Sequence, residues 1–287
     1  MFNKQEKHIS DSEAIRDLPH NRKEVFFDLL KHRKMYMFSL SCFTFMFFIP
    51  LAVDLFLFNY LESISLYADK SVSYLFSLIF YSMLIMIPCM MIGFLGFAGA
   101  FYTAKKLVWQ EGSYVSVDFF QGIKENWKQA IVNGLLFAIF LFGLVVGSCY
   151  LIIFMKSQPI LLGIGIGALV LLFLLFGMVT ALNFTQMVYY ENSFFATLKN
   201  SFCLLGLLNW KIFVLYLLTT CGVVALCCLN MITLAIGLFL FAVLNSVVVI
   251  LYTLISHSGF DKYINKEHYP DMVGKGLYKK QSNDKEA

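Results

Sequence analysis

The run MYMFSLSCFTFMFFIPLAVDLFLFNY, residues 35–60, holds a single charge, Asp54. A helix crosses the roughly 30 Å hydrocarbon core of a bilayer in about 20 mainly apolar residues, so this run is long enough to span. Five more runs of the same kind follow: Ser73–Ala104, Ala130–Met155, Pro159–Tyr190, Lys211–Asn230 and Met231–Ser256. The fold class they predict is an all-α integral membrane protein with six transmembrane helices. Asn230 is the only polar hinge between the last two runs. Five spans plus a re-entrant piece is the alternative.

Composition agrees. The 287 residues are 59% hydrophobic, 17% aromatic and 14% charged, with 31 Phe. Soluble domains run near 45–50% apolar and about 25% charged. A mean hydropathy of +0.73 leaves more apolar surface than one globular core can bury. These figures argue against a secreted disulfide scaffold, a disordered chain and a nucleic-acid module. Of the seven cysteines, Cys42, Cys89, Cys149, Cys221, Cys227 and Cys228 lie in apolar runs and Cys203 on an amphipathic stretch, a distribution that reads as packing filler rather than a disulfide or zinc framework. The first run follows about thirty polar residues and lacks a small-residue cleavage motif, so it reads as a span and not as a signal peptide.

Charge orients the helices. If both termini are cytoplasmic, only Lys70 and Lys156 of the 22 Lys and Arg lie outside. An excess of this sign on one side marks the cytoplasmic face, and Trp109, Trp127 and Trp210 fall at the same interface. The outer loops, about a dozen residues at Leu61–Val72 and a few at Lys156–Gln158, are too short to form a domain.

An aromatic, amphipathic segment precedes each outward span: Glu24–Lys31, Asp118–Lys128 and Phe194–Phe202. In the second, Phe119, Phe120, Ile123 and Trp127 recur at helical spacing, with Lys124, Asn126 and Lys128 nearby. That pattern predicts a helix lying in the interface plane, with Asp118 as its N-cap. Asn-Trp-Lys recurs at Asn126 and Asn209. The expected organisation is therefore a polar tail over 1–23, a membrane domain over 24–257 and a polar tail over 258–287. The membrane domain divides into three parallel units of about 24–108, 115–190 and 194–257. Ser73–Ala104 and Pro159–Tyr190 are too long for straight spans. They must tilt, protrude or kink, the first at Pro88, Gly93, Gly96 or Gly99.

The stretch Gly96-Phe-Ala-Gly-Ala-Phe-Tyr-Thr-Ala-Lys-Lys-Leu-Val108, with Gly112-Ser-Tyr and Asp118-Phe-Phe-Gln-Gly-Ile-Lys-Glu-Asn-Trp-Lys-Gln-Ala130, resembles the YesL-like family of small bacterial multi-pass membrane proteins. The departures are Phe97 where a proline is expected, Trp127 for a Phe, and long polar tails. The resemblance implies a bacterial plasma-membrane protein associated with carbohydrate uptake or use. It implies no catalytic residue, cofactor or metal. Its partners would be the lipid bilayer and another membrane transport component or a second copy of the chain, with no nucleic acid.

Among groups that could carry chemistry, Asp54 either snorkels toward the outer interface or forms a proton or cation site with a polar neighbour. Asn133, Asn183, Gln186 and Asn245 are the other polar groups in the spans, serving as interhelical glue or as a polar path. Gly163-Ile-Gly-Ile-Gly167 lacks the preceding strand of a nucleotide loop, and with Gly143 and Gly147 it predicts close helix packing. The five His are not paired at metal-ligand spacing. The leading expectation is a non-enzymatic accessory or regulatory component, and the alternative is a small secondary transporter with a polar path between repeats. Cysteines introduced beside Lys70 and Lys156 should react with an impermeant thiol reagent from outside, and those beside Lys106 and Lys280 should not. The reverse pattern would overturn the orientation.

Overall fold

The computed structural model describes residues 19–67, 72–112, 114–207, 214–219, 222 and 230–278, and every regular element among them is helical. In chain order these are α1 (Arg22–His32), α2 (Lys34–Tyr67), α3 (Val72–Val108), α4 (Val115–Phe154), α5 (Pro159–Tyr189), α6 (Phe194–Leu207) and α7 (Met231–Phe260). The last helix continues through a π-turn, Asp261–Asn265, and Lys266–His268 to a 3-10 turn at Pro270–Met272. Five helices, α2 to α5 and α7, are long and apolar enough to cross a membrane. The chain is a multi-pass α-helical membrane protein. Most of the expected fifth span, Lys211–Asn230, lies outside the described residues, although 214–219 is helical.

Local chemistry sets the helix ends. Asn230 accepts the N–H groups of Ile232 and Thr233, both at 3.0 Å, while Thr233 Oγ1 accepts the Asn230 N–H at 3.1 Å. This reciprocal cap satisfies donors that a helix start otherwise leaves orphaned, so the polar hinge begins α7. Asn21 caps α1 by accepting the Glu24 N–H at 3.0 Å.

The second amphipathic segment departs from the expectation. Asp118–Lys128 is not a separate interfacial helix: it is the opening of the 40-residue α4, which runs on into the span without a break. Nor is Asp118 its N-cap. Tyr114 holds that position, and Asp118, in the first turn, reaches back to accept the Tyr114 N–H at 3.0 Å. At 1.5 Å per residue α4 is about 60 Å long, twice what a bilayer core requires. Its opening turns pair with the end of α3. The inward face is formed by Phe119, Gly122, Asn126 and Ala130, whereas Phe120 (54% exposed) and Trp127 (48%) face outward. Lys124 and Lys128 are exposed, with the Lys128 ammonium 5.7 Å from the Trp127 ring. Asn126 is occupied locally, its Nδ2 donating to Gly122 O at 3.0 Å.

The central helix is α3, which packs against α2, α4, α5 and α7. Its glycines do not break it. Gly93 and Gly96 seat the Phe48 and Phe47 rings of α2, and a Cβ at Gly99 would lie 2.7 Å from the Phe119 carbonyl of α4. Phe97, at the position of the expected proline, touches Phe48, Phe94, Phe101, Phe184 and Phe241, with ring centroids 4.8–6.4 Å apart. A proline would remove that ring and a helical N–H. The close packing predicted around Gly163–Gly167 is seen at Gly165 alone of those three glycines. Among the described residues nothing lies within 4 Å of a Cβ at Gly143, Gly163 or Gly167, whereas Gly165 is covered by Leu151 and Gly147 by Leu169. The polar-group-poor outer parts of α4 and α5 present large exposed side chains such as Ile160, Ile164 and Leu171, which suit lipid contact.

Phe119 is fully buried against Phe43, Phe47 and Gly99. Phe119→Ala should therefore destabilise the detergent-solubilised protein by about 3–5 kcal/mol. Phe120→Ala should cost about 1 kcal/mol or less. Equal losses in thermal unfolding would contradict the α3–α4 register.

Candidate functional site

The five residues of the expected polar path do not form one continuous line. Asn183 Nδ2 donates to Asn133 Oδ1 at 3.1 Å, joining α5 to α4. One turn along α5, Gln186 Nε2 donates to Ser201 Oγ of α6 at 2.7 Å. These three form one polar seam. Asp54 is not part of it: Ser82 of α3 donates to Asp54 Oδ2 at 3.2 Å, and the carboxylate is buried rather than turned out to the interface. About 20 residues of α2, roughly 30 Å of rise, separate Asp54 from the start of that helix. Asn245 is buried in α7, beside Ser246, whose N–H donates to Ser41 Oγ of α2 at 2.9 Å.

The densest polar constellation lies elsewhere, where α3, α5 and α7 end beside α1. Four-residue spacing along α7 and its π-turn puts His257, Asp261 and Asn265 on one side. Arg22, at the start of α1, reaches across with Nη2 to Asp261 Oδ2 at 3.0 Å and to His257 Nδ1. Asn265 Nδ2 donates to Asp261 Oδ1 at 2.8 Å, and the Gly274 N–H approaches Oδ2 at 3.3 Å. From α3, Trp109 Nε1 donates to His257 Nε2 at 3.1 Å. That bond makes Nε2 an acceptor, while Nδ1 sits between Arg22 Nη2, which can only donate, and Asp261 Oδ2, 3.3 Å away, which accepts. With both nitrogens engaged and no exposure, His257 has no free face for a substrate. It serves as a bracket.

The same knot fastens the chain after α7. Arg22 Nη1 donates to Lys275 O at 2.7 Å, and the Tyr278 N–H donates to Pro19 O at 2.9 Å. Lys275 Nζ pairs with Glu111 at 2.8 Å and lies 3.7 Å from the Trp109 ring centroid. Gly276 has φ +83° and lies against the Val108 carbonyl, where a side chain would collide. The polar tail expected from residue 258 is thus folded through 278. Tyr190 donates to Asn265 Oδ1 at 2.6 Å. Burial, and then the Asp261 carboxylate, hold its phenol above the ordinary value, so it remains a donor.

The adjacent lysines at the end of α3 divide. Lys106 binds Asp118 Oδ1 at 2.5 Å, locking the α3 end to the α4 start. Lys105 turns inward, donating to Val188 O at 2.5 Å with its ammonium 4.9 Å from Trp109 and 5.6 Å from Tyr189. Such contacts let a cation sit among aromatics without a carboxylate. Sequence reasoning passed over Arg22, His257, Asp261 and Asn265. The available signal was His, Asp and Asn at four-residue intervals immediately beyond the last apolar run. Among the described residues no three His, Cys, Asp or Glu side chains come together as metal ligands, and Cys42, Cys89, Cys149 and Cys203 are free thiols.

No family model, curated protein or solved structure matches this chain.

Because Arg22 and Asp261 are mostly buried, removing either partner leaves the other charge uncompensated. Arg22→Gln and Asp261→Asn should each cost about 2–3 kcal/mol, and the double variant little more than either single. Trypsin should cleave after Lys262 and Lys275 faster in all three variants. Additive losses with unchanged cleavage would show that the knot does not hold the two ends together.

Proposed function

We propose that this chain is a non-enzymatic accessory or regulatory component of a bacterial plasma membrane, serving carbohydrate uptake or use as the resemblance to YesL-like proteins implies. In this reading both termini are cytoplasmic, the chain crosses six times in three parallel units, and the knot around Asp261 is a firm inner face on which a membrane transport component docks. The sixth crossing is supported by chain direction. α5 ends at the knot, whereas the roughly 45 Å length of α7 puts Met231 at the opposite end, and the helical residues 214–219 come between them in the chain. Tyr216, buried beside Gly177 of α5, lies in that stretch.

The observation that carries the accessory reading is how the polar groups are used. Within the apolar helices they meet in local pairs, Asp54 with Ser82 and Asn183 with Asn133. The extended network instead ties both ends of the chain to one face. Two open hollows among the described residues have volumes of about 440 and 220 Å³. One is lined by Lys31–Tyr36 and the other by apolar residues including Phe76, Phe80 and Cys149, and neither by any of the five polar-path residues.

A secondary-transporter reading draws on a different observation. Asn133 Nδ2, Asn183 Oδ1, Gln186 Oε1 and Asn245 Nδ2 are buried without a hydrogen-bond partner, and unsatisfied groups of this kind suit a hydrated path.

The two readings separate in vesicles reconstituted with the full chain. Proton or sodium flux should stay at the level of empty vesicles for both the unmodified chain and Asp54→Asn. A coupled flux that Asp54→Asn abolishes, with insertion intact, would overturn the accessory reading. A partner that co-purifies from native membranes with the unmodified chain, but not with a well-inserted Arg22→Gln/Asp261→Asn variant, would place docking at the knot.

A further inference from the structure

A second basic feature stands apart from the knot. The helices α1 and α2 are separated by Arg33, whose backbone leaves helical geometry at φ −123°, ψ 32°. The break opens a notch of about 440 Å³ lined by Lys31, His32, Arg33, Lys34, Met35 and Tyr36. Four consecutive cationic or titratable residues line it. Among the described residues Asp28 lies 3.8 Å from His32. Among the described residues Lys31, Arg33 and Lys34 make no ion pair, in contrast to Arg22, Lys106 and Lys275.

Directly below the notch α2 presents an apolar track. Met35 is 77% exposed, and Phe38, Cys42, Met46, Ile49, Val53 and Leu57 continue along the same side at three- and four-residue intervals. From Met35 to Ile49 the track rises about 21 Å, more than the ~15 Å depth of one leaflet's hydrocarbon. A cation-lined notch, wide enough for a phosphate headgroup, thus opens directly onto a strip of exposed alkyl and aromatic side chains. A soluble anion would use only the recess. A diacyl lipid with an anionic headgroup would use both parts.

We infer that the α1–α2 notch is a binding site for one anionic phospholipid, its headgroup phosphate held by Lys31, Arg33 and Lys34 and its acyl chains laid along Met35, Phe38 and Met46. Arg33 is well suited to the phosphate, since its planar fork donates two parallel hydrogen bonds, while the two lysines supply point charge. Cationic side chains at the start of a membrane helix favour anionic over zwitterionic headgroups, and exposed apolar side chains below them add contact that a free anion cannot replace.

The test is native mass spectrometry of the full chain in detergent, titrated separately with phosphatidylglycerol and phosphatidylcholine of the same acyl chains. Phosphatidylglycerol should bind at one site at least about tenfold more tightly than phosphatidylcholine. Lys31→Gln/Arg33→Gln/Lys34→Gln should weaken it by about tenfold or more, whereas Lys124→Gln/Lys128→Gln/Lys266→Gln, which removes the same charge elsewhere, should change it by less than about twofold. Met35→Ser/Phe38→Ser leaves the charges in place and should also weaken binding, and it keeps the test decisive if the charge triple does not fold. Equal losses in the two charge triples would mean diffuse attraction and overturn the site. Displacement of the lipid by millimolar inorganic phosphate would reassign the notch to a soluble anion, and phosphatidylcholine binding as tightly as phosphatidylglycerol would refute the headgroup contact.

Discussion

The close approach of α3 and α4 is the contact on which the other elements depend. Helices in lipid gain little from burying one apolar face against another, because the acyl chains are as apolar as the side chains they replace. What holds them is contact short enough for dispersion to accumulate, and Gly99 against Phe119 and Gly122 against Tyr102 provide it. Any side chain at these glycines would force the helices apart. At the same end Lys106 and Asp118 close the seam with an ion pair. Trp109 and Lys105 are thereby held where α5 and α7 end, and the knot has a fixed platform.

On that platform the protein places its charges. Arg22, His257, Asp261 and Lys275 come from sequence positions more than 200 residues apart at the extremes, yet form one connected set. Each charged member is partly shielded from water, so each needs the others more than a surface pair would. The π-turn matters here. By inserting a wider turn after Phe260 it keeps Asp261 and Asn265 facing Arg22 and Tyr190 as the chain leaves α7.

Interior polar groups contribute differently. Asp54 with Ser82, and Asn183 with Asn133, each tie one helix to the next. Interhelical hydrogen bonds in membranes average about 0.6 kcal/mol, so these pairs set register more than they add stability.

The fold class was legible in the sequence, because the bilayer demands length and apolarity of every crossing segment and those are linear properties. The hinge at Asn230 was legible for the same reason: a cap is made by residues two and three positions away. Asp118–Lys128 was misjudged because its aromatic stripe suits a helix on a membrane and a helix on a protein equally well, and only the position of α3 decides which of Phe119 and Phe120 is buried. Gly93, Gly96 and Gly99 read as kink points for want of knowing that Phe48, Phe47 and Phe119 would fill them. The knot was out of reach for the most basic reason. Arg22 and Asp261 are 239 residues apart, and nothing along the chain pairs them until five helices have packed and brought both ends to one face.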